Sequence, residues 1–160
     1  MDEWVEKKLI RPPELANKVL KIRKEKKTIS TLNGSFDILH SGHLSIIYQA
    51  SLMGDVFIMA LNTDESIQKY KGRQRPIISL NHRLSSIAAL EFVDYVTYFS
   101  EQNPISVLEK IKPDIHNNGA EYGENCIEAG VVAKYGGNIN IIPLVPNLST
   151  TNIIEKIKRL

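Results

Sequence analysis

Thr28-Ile29-Ser30-Thr31-Leu32, followed by Asn33-Gly34-Ser35-Phe36-Asp37-Ile38-Leu39-His40-Ser41-Gly42-His43 and then by Leu44 to Met53, is the stretch whose reading decides the fold. Residues 28–32 are short, β-branched and apolar, which suits a buried strand. Beyond the motif, Leu44, Ile47 and Leu52, with Ala50 beside them, recur at helical spacing. The motif therefore occupies a strand-to-helix turn, the place where an open α/β sheet holds its ligand. Gly34 and Gly42 permit close backbone approach. His40 and His43 stand three residues apart, so a helix starting near Ser41 carries both on one face of its first turn. Free N–H groups and the positive end of the helix dipole point the same way. Two imidazoles over a helix N-terminus make an anion site, and phosphate is the anion that suits it. The alternatives are a pair of surface histidines or half of a metal site. A metal needs a third and fourth ligand; Asp37 offers one, but the single cysteine is Cys126, and His82 and His116 are isolated in sequence.

Outward from this turn, strand and helix patterns alternate. Asp55 to Leu61 reads as a second buried strand, and Thr63 or Asp64 caps a short helix to Lys69. Lys69 to Pro76 reads as a loop, punctuated by Gly72 and Pro76. Leu80 to Glu91 is helical, with Leu84, Ile87, Ala88 and Leu90 on its buried side and Asn81 as a candidate cap. Val93 to Phe99 is a strand. A helix from Pro104 to Ile111, a short strand at 114–117, a helix over 124–135 closed by Gly136-Gly137, a strand over 139–144 and a helix over 149–160 complete the chain. Five strands near residues 29, 57, 95, 115 and 141 predict a doubly wound, mostly parallel sheet with helices on both faces. Residues 1–27 stand apart as a lysine-rich helical extension; Leu15, Val19 and Ile22 give it a narrow apolar stripe, read as a solvated helix lightly packed on the domain at 28–160.

Composition narrows the function. The chain has 160 residues, 42% of them hydrophobic and 24% charged, which is the balance of one ordinary globular domain. A net charge of +2 is too small to imply nucleic acid or an anionic membrane as partner. One cysteine excludes an intramolecular disulfide and fits a reducing compartment. With no signal peptide and no apolar run of membrane-spanning length, the expected location is cytoplasmic.

Further cations and hydroxyls fall where the sheet places the motif. Lys71, Arg73 and Arg75 follow the second strand, so in a parallel sheet they emerge on the same side as His40 and His43, and Arg83 lies one turn into the next helix. Read alone, the run is a solvated loop; beside the first motif it reads as a phosphate-binding loop. Ser149-Thr150-Thr151 opens the last helix and serves equally as a cap and as a second phosphate contact.

Gly34-x-Phe36-Asp37-x-x-His40-x-Gly42-His43 resembles the signature of the cytidylyltransferase-like nucleotidyltransferases, which fixes six residues within ten positions. That resemblance implies the Rossmann-like, HxGH type of nucleotidyltransferase fold. It implies His40 and His43 as catalytic groups at the α-phosphate of a nucleoside triphosphate, with Lys71 and Arg83 holding phosphates. Gly34, Ser35, Phe36, Gly42, Gly119, Glu121, Ser149, Thr150 and Thr151 become nucleotide contacts, and Asp37, Lys71 and Arg75 contacts to the acceptor. Mg²⁺ carried by the nucleotide and a homodimer are also implied. Arg75-Pro76-Ile77, Ala89-Leu90-Glu91-x-Val93-Asp94 and Ser149-Thr150-Thr151-Asn152-Ile153-Ile154 are similar to the heptose 1-phosphate adenylyltransferases, over residues 28 to 159. The implied reaction is adenylyl transfer from ATP to a sugar 1-phosphate in lipopolysaccharide core synthesis. With no kinase segment in the chain, a stand-alone or excised form is expected. Glycerol 3-phosphate cytidylyltransferases share the signature, and a non-catalytic nucleotide binder is a third reading. Two positions depart from the pattern: Asn118, where relatives carry Lys, and Val145-Pro146-Asn147-Leu148, where they carry Arg or an acidic residue.

Overall fold

Val56 to Asn62 is buried at every position, the mark of a strand covered on both faces. In the computed structural model, which describes residues 2–146 and 148–160, this is β2 of a five-stranded, all-parallel sheet. The other strands are β1 (Ile29–Gly34), β3 (Tyr95–Phe99), β4 (Ile115–Gly119) and β5 (Asn138–Ile142), in the order β3-β2-β1-β4-β5. Around them lie α1 (Glu3–Glu6), α2 (Leu15–Lys24), α3 (Ser41–Ser51), α4 (Asp64–Lys71), α5 (Leu80–Ala88), α6 (Ile105–Ile111), α7 (Ala129–Lys134) and α8 (Thr150–Lys158). The chain steps from β1 out to β3, then returns to lay β4 on the other side of β1. The strand order reverses between β1 and β4, and the crevice beyond their carboxyl ends is where such a sheet binds ligand.

Alternation along β2 sends Phe57, Met59 and Leu61 to one face and Val56, Ile58 and Ala60 to the other. The first face packs against α3 and α5 through Ile46, Ile47, Leu84 and Ile87. The second packs against α2, α6 and α7 through Val19, Ile22, Leu108, Ile111 and Val132.

Several expectations change. Residues 2–27 do form helices but are not lightly packed. Val5 and Leu9 enter one core, and Ile10, Leu15, Val19 and Ile22 the other. Leu9 bridges Val96, with Ile10 N–H donating to the Val96 carbonyl and Val96 N–H to that of Lys8. This segment covers the edge strand β3, whose unpaired backbone groups need a partner. Lys69 to Lys71 belong to α4 and not to the following loop; Gly72, at φ +87°, ends the helix. Thr63 caps α4, accepting from Ser66 N–H, whereas α5 begins after Ser79, leaving Asn81 inside it. Residues 124–128 are turns, because Glu128 is drawn inward to Asn118 and Ile127 is exposed. β5 stops at Ile142, so Leu144 and Val145 belong to a loop; Asn147, one of the departing positions, lies outside the described residues.

Candidate active site

The turn after β1 is shaped by close contacts. Phe36 takes a left-handed backbone, φ +46°, a conformation bulky side chains rarely accept and that marks functional turns. Its ring meets His43 edge-on at 5.4 Å. Gly34 is needed because a Cβ there would press on the Phe36 ring at 3.0 Å, and Gly42 because a Cβ would meet His40 at the same distance.

His40 is the N-cap of α3, and its Nδ1 accepts the backbone N–H of His43 at 3.3 Å. The neutral ring therefore carries its proton on Nε2. The two imidazoles stack with centroids 3.8 Å apart, leaving His40 Nε2 and His43 Nδ1 buried and without a protein partner. Burial lowers the His40 pKa. At His43, burial first and the neighbouring His40 second, with Lys71 adding to them against the Ile38 carbonyl, bring it down to about 4. Both rings are therefore neutral donors at pH 7 until an anion arrives.

The histidines line a cavity of about 290 Å³ above the carboxyl ends of β1 and β4, the sheet's reversal point. Of the residues expected at the nucleotide, Gly34, Ser35, Phe36, Gly42, Gly119, Glu121, Ser149, Thr150 and Thr151 all line it. Ser149 also caps α8, accepting from Asn152 N–H at 3.1 Å. Lys71 lines the cavity from α4 and donates to Ser35 Oγ at 3.2 Å. Burial and then Arg75 lower the Lys71 pKa, with Asp37 opposing them.

Three expected residues stand elsewhere. Asp37 is buried and accepts from Arg75 Nε at 2.7 Å and from the N–H groups of Ile77 and Ile78 at 2.8 Å. Burial acts to raise its pKa, but the N–H groups of Ile78 and Ile77 together with Arg75 hold it below the usual carboxylate value. Asp37 and Arg75 thus satisfy one another and pin the loop after α4; neither lines the cavity. Arg83 is 1% exposed and its guanidinium is largely occupied: it donates to the carbonyls of Ile78, Ser35 and Asn62 and to Asp64 Oδ1. In this structure Arg83 is a clamp joining the ends of β1 and β2 to α4 and α5. Leu32, Asn33, Ile46, Tyr122 and Leu144 also line the cavity, as do Asn118, Val145 and Leu148 from the two places where the sequence departs from the family pattern. Asn33 opens the motif, whereas Leu144 reads as the end of a strand. A wider depression of about 540 Å³ between α1 and α5 has the wrong sign for a polyphosphate, since Asp2 and Glu6 line it and its Arg11 is ion-paired to Glu6.

The cytidylyltransferase-like family model matches residues 31–156, the span from this turn to the helix that Ser149 caps. The chain belongs to the cytidylyltransferase-like family. As a member, it is a nucleotidyltransferase enzyme. It is 41% identical over 150 residues to the bifunctional protein HldE of Syntrophotalea carbinolica, covering 92% of this chain and 31% of that protein. It is 38% identical over 159 residues to HldE of Pseudomonas fluorescens, covering 99% and 34%. The chain thus spans about a third of the length of these curated relatives. Among solved structures, a lipopolysaccharide core biosynthesis protein from Thermoplasma volcanium superposes with a TM-score of 0.60 at 26% identity, covering 74% of this chain and 97% of that one. The pantoate-beta-alanine ligase of Francisella tularensis, at 17% identity and a TM-score of 0.59 over 95% and 79% of the two chains, shares the fold. No helix among the described residues is long and apolar enough to cross a membrane.

Proposed function

We propose that this enzyme transfers the adenylyl group of ATP to heptose 1-phosphate, giving ADP-heptose and pyrophosphate, for lipopolysaccharide core synthesis in the cytoplasm. The observation that carries the reading is the pair of stacked, neutral imidazoles at the N-terminus of α3, opening onto a cavity shared with Lys71 and with the N-terminus of α8. The HldE relatives and the lipopolysaccharide core protein support this choice within the family.

The acceptor phosphate is already ionised, so no general base is needed. One of its oxygens attacks the α-phosphorus; that P–O bond forms as the bond to the α,β-bridging oxygen breaks, and pyrophosphate departs with the electron pair. The chain's contribution is position and charge stabilisation. Nε2–H of His40 is the donor left free by its bond to His43 N–H, and His43 lies against it. Developing negative charge raises the imidazole pKa, so these donors strengthen as charge accumulates. Lys71 holds phosphate opposite them, and α8 offers N–H groups and the hydroxyls of Thr150 and Thr151.

Among the described residues no three His, Cys, Asp or Glu side chains gather to cage a metal. Mg²⁺ needs no such cage, since it takes phosphate oxygens, water and one or two carboxylates. It would be held by the triphosphate, with Glu121 the carboxylate lining the cavity, and would neutralise phosphate charge. A homodimer belongs to the same reading: Leu44 and Tyr48 on the exposed flank of α3, and Leu52 capping its end, line up four residues apart. A single-chain mass by light scattering would remove it.

Pyrophosphate release with heptose 1-phosphate and Mg²⁺, comparing ATP with CTP, tests the function. Turnover with ATP alone is expected. Preference for CTP would move the enzyme to the cytidylyltransferases of polyol phosphates, and silence with both nucleotides would overturn the proposal.

A further inference from the structure

Beside the nucleotide cavity lies a second recess of about 180 Å³. The two share Asn33, Gly34, Ser35, Lys71, Asn118 and Tyr122, so they adjoin across the end of β1 and the Lys71 ammonium. Beyond that shared wall the chemistry changes. The recess holds Glu128, which lines only this second space, and Asn62 and Gln102.

Glu128 is 5% exposed and forms no salt bridge among the described residues. Its carboxylate accepts from Asn118 Nδ2 at 3.3 Å, with the Cys126 thiol as a second donor beside it. His116 is kept neutral: burial takes its pKa down to about 4 in spite of the Glu128 charge. A buried carboxylate with no cation beside it gains from every further donor that reaches it. The Asn33 amide oxygen is buried with no partner. A carboxylate without a cation and an unpartnered amide oxygen on one recess suit a ligand that brings several O–H donors. An anion would be repelled by Glu128, and an apolar group would leave both acceptors bare.

We infer that this recess is a polyhydroxyl subsite, in which vicinal hydroxyls of the acceptor sugar donate to the Glu128 carboxylate and to Asn33 Oδ1 while its phosphate lies against Lys71 in the shared wall. The inference rests on the proposed adenylyl transfer to a sugar phosphate and adds the residues that choose the sugar. Glu128 sits in the turn before α7, a segment whose sequence carries no sign of a site. Its role is to select acceptors with adjacent hydroxyls, and it touches no reacting atom.

The test separates acceptor binding from turnover. Binding of mannose 1-phosphate and of methyl phosphate is followed by ligand-observed NMR on the full chain, wild type and Glu128→Gln, and ATP binding is measured by calorimetry on the same samples. Removing a charged hydrogen-bond partner predicts about tenfold weaker binding of mannose 1-phosphate. Methyl phosphate binding and ATP affinity stay within about twofold, since the phosphate and nucleotide contacts are intact. If Glu128→Gln does not fold, Gln102→Ala at the exposed mouth carries the test, with about threefold weaker sugar binding expected from the loss of a neutral hydrogen bond. Mannose 1-phosphate bound no better than methyl phosphate by the wild type, or equally by wild type and variant, overturns the subsite. Sugar binding that depends on Glu128 without any pyrophosphate release from ATP would support the subsite and strike only the proposed reaction.

Discussion

At His43 the imidazole is buried, stacked on His40 and near Lys71, and its pKa falls to about 4. A group poised in this way gives most when phosphate charge develops beside it, so its loss belongs to the transition state more than to ground-state binding. His43→Ala is accordingly expected to lower kcat by about 10² or more with a modest change in KM, as for the removal of an oxyanion donor. Steady-state pyrophosphate release decides this, and wild-type turnover would take His43 out of the mechanism. His116 makes a different statement. It is fully buried in β4, its Nδ1 shares a hydrogen bond with Thr31 Oγ1 at 2.8 Å, its Nε2 has no partner, and its pKa is about 4. The unfolded chain takes up this proton near 6.5 and the folded chain only near 4, so stability is complete above 6.5 and is lost as pH falls toward 4. At pH 5 the loss is about 2 kcal/mol. Urea unfolding at pH 7 and pH 5 measures it, and His116→Asn should flatten the difference by that amount.

Between elements, Arg83 is the tie that holds the active-site turn to its neighbours. It runs from α5 to the Ser35 carbonyl after β1, the Asn62 carbonyl at the end of β2 and Asp64 at the start of α4. A planar fork reaches these acceptors together and an ammonium does not. Arg83→Lys should therefore cost about 3 kcal/mol, in the range for breaking a buried, hydrogen-bonded charge. Urea denaturation checks this; unchanged stability with a raised KM for ATP would return Arg83 to the phosphates. Nothing in the residue order announces such a clamp, because its acceptors are mostly backbone carbonyls far apart in the chain. The alternation of strand and helix was legible for the opposite reason. β2 is an apolar run and β1 is buried over its first four residues, since both faces of a parallel sheet are covered, and the glycine-histidine turn has to follow β1 for α3 to start at Ser41. The nucleotide-lining residues were legible where phosphate chemistry demanded a residue type, as at Ser149-Thr150-Thr151. They were not legible at Leu144, where an apolar loop over a cavity reads like the continuation of a strand. Residues 124–128 misled similarly: Glu128 turns inward to Asn118 and breaks the helix that the pattern extends.

For the molecule as a whole, the sheet is finished on both faces only by its first 27 residues. Read as sequence, they are a lysine-rich stretch with one narrow stripe; in the fold, Val5 and Leu9 close the α3–α5 face, and Ile10, Leu15, Val19 and Ile22 close the α6–α7 face. Arg23 ties the segment to the start of β4 through Asp114, and Lys8 Nζ donates to the Leu90 carbonyl at 2.9 Å. Six buried apolar side chains at about 1.5–3 kcal/mol each exceed or match the whole stability of a domain, about 5–15 kcal/mol. Removing the segment would also strip the cover from β3 and expose an edge ready to pair with another chain. A chain consisting of residues 28–160 should therefore fail to fold on its own: heating should show no cooperative transition, and amide NMR signals should collapse into the unfolded range. A dispersed spectrum with a sharp melting transition would make residues 1–27 the appendage their composition suggests. Failure to fold would mean instead that the active site, at the far end of β1, depends on the N-terminal helices for the rigidity of the sheet that aims it.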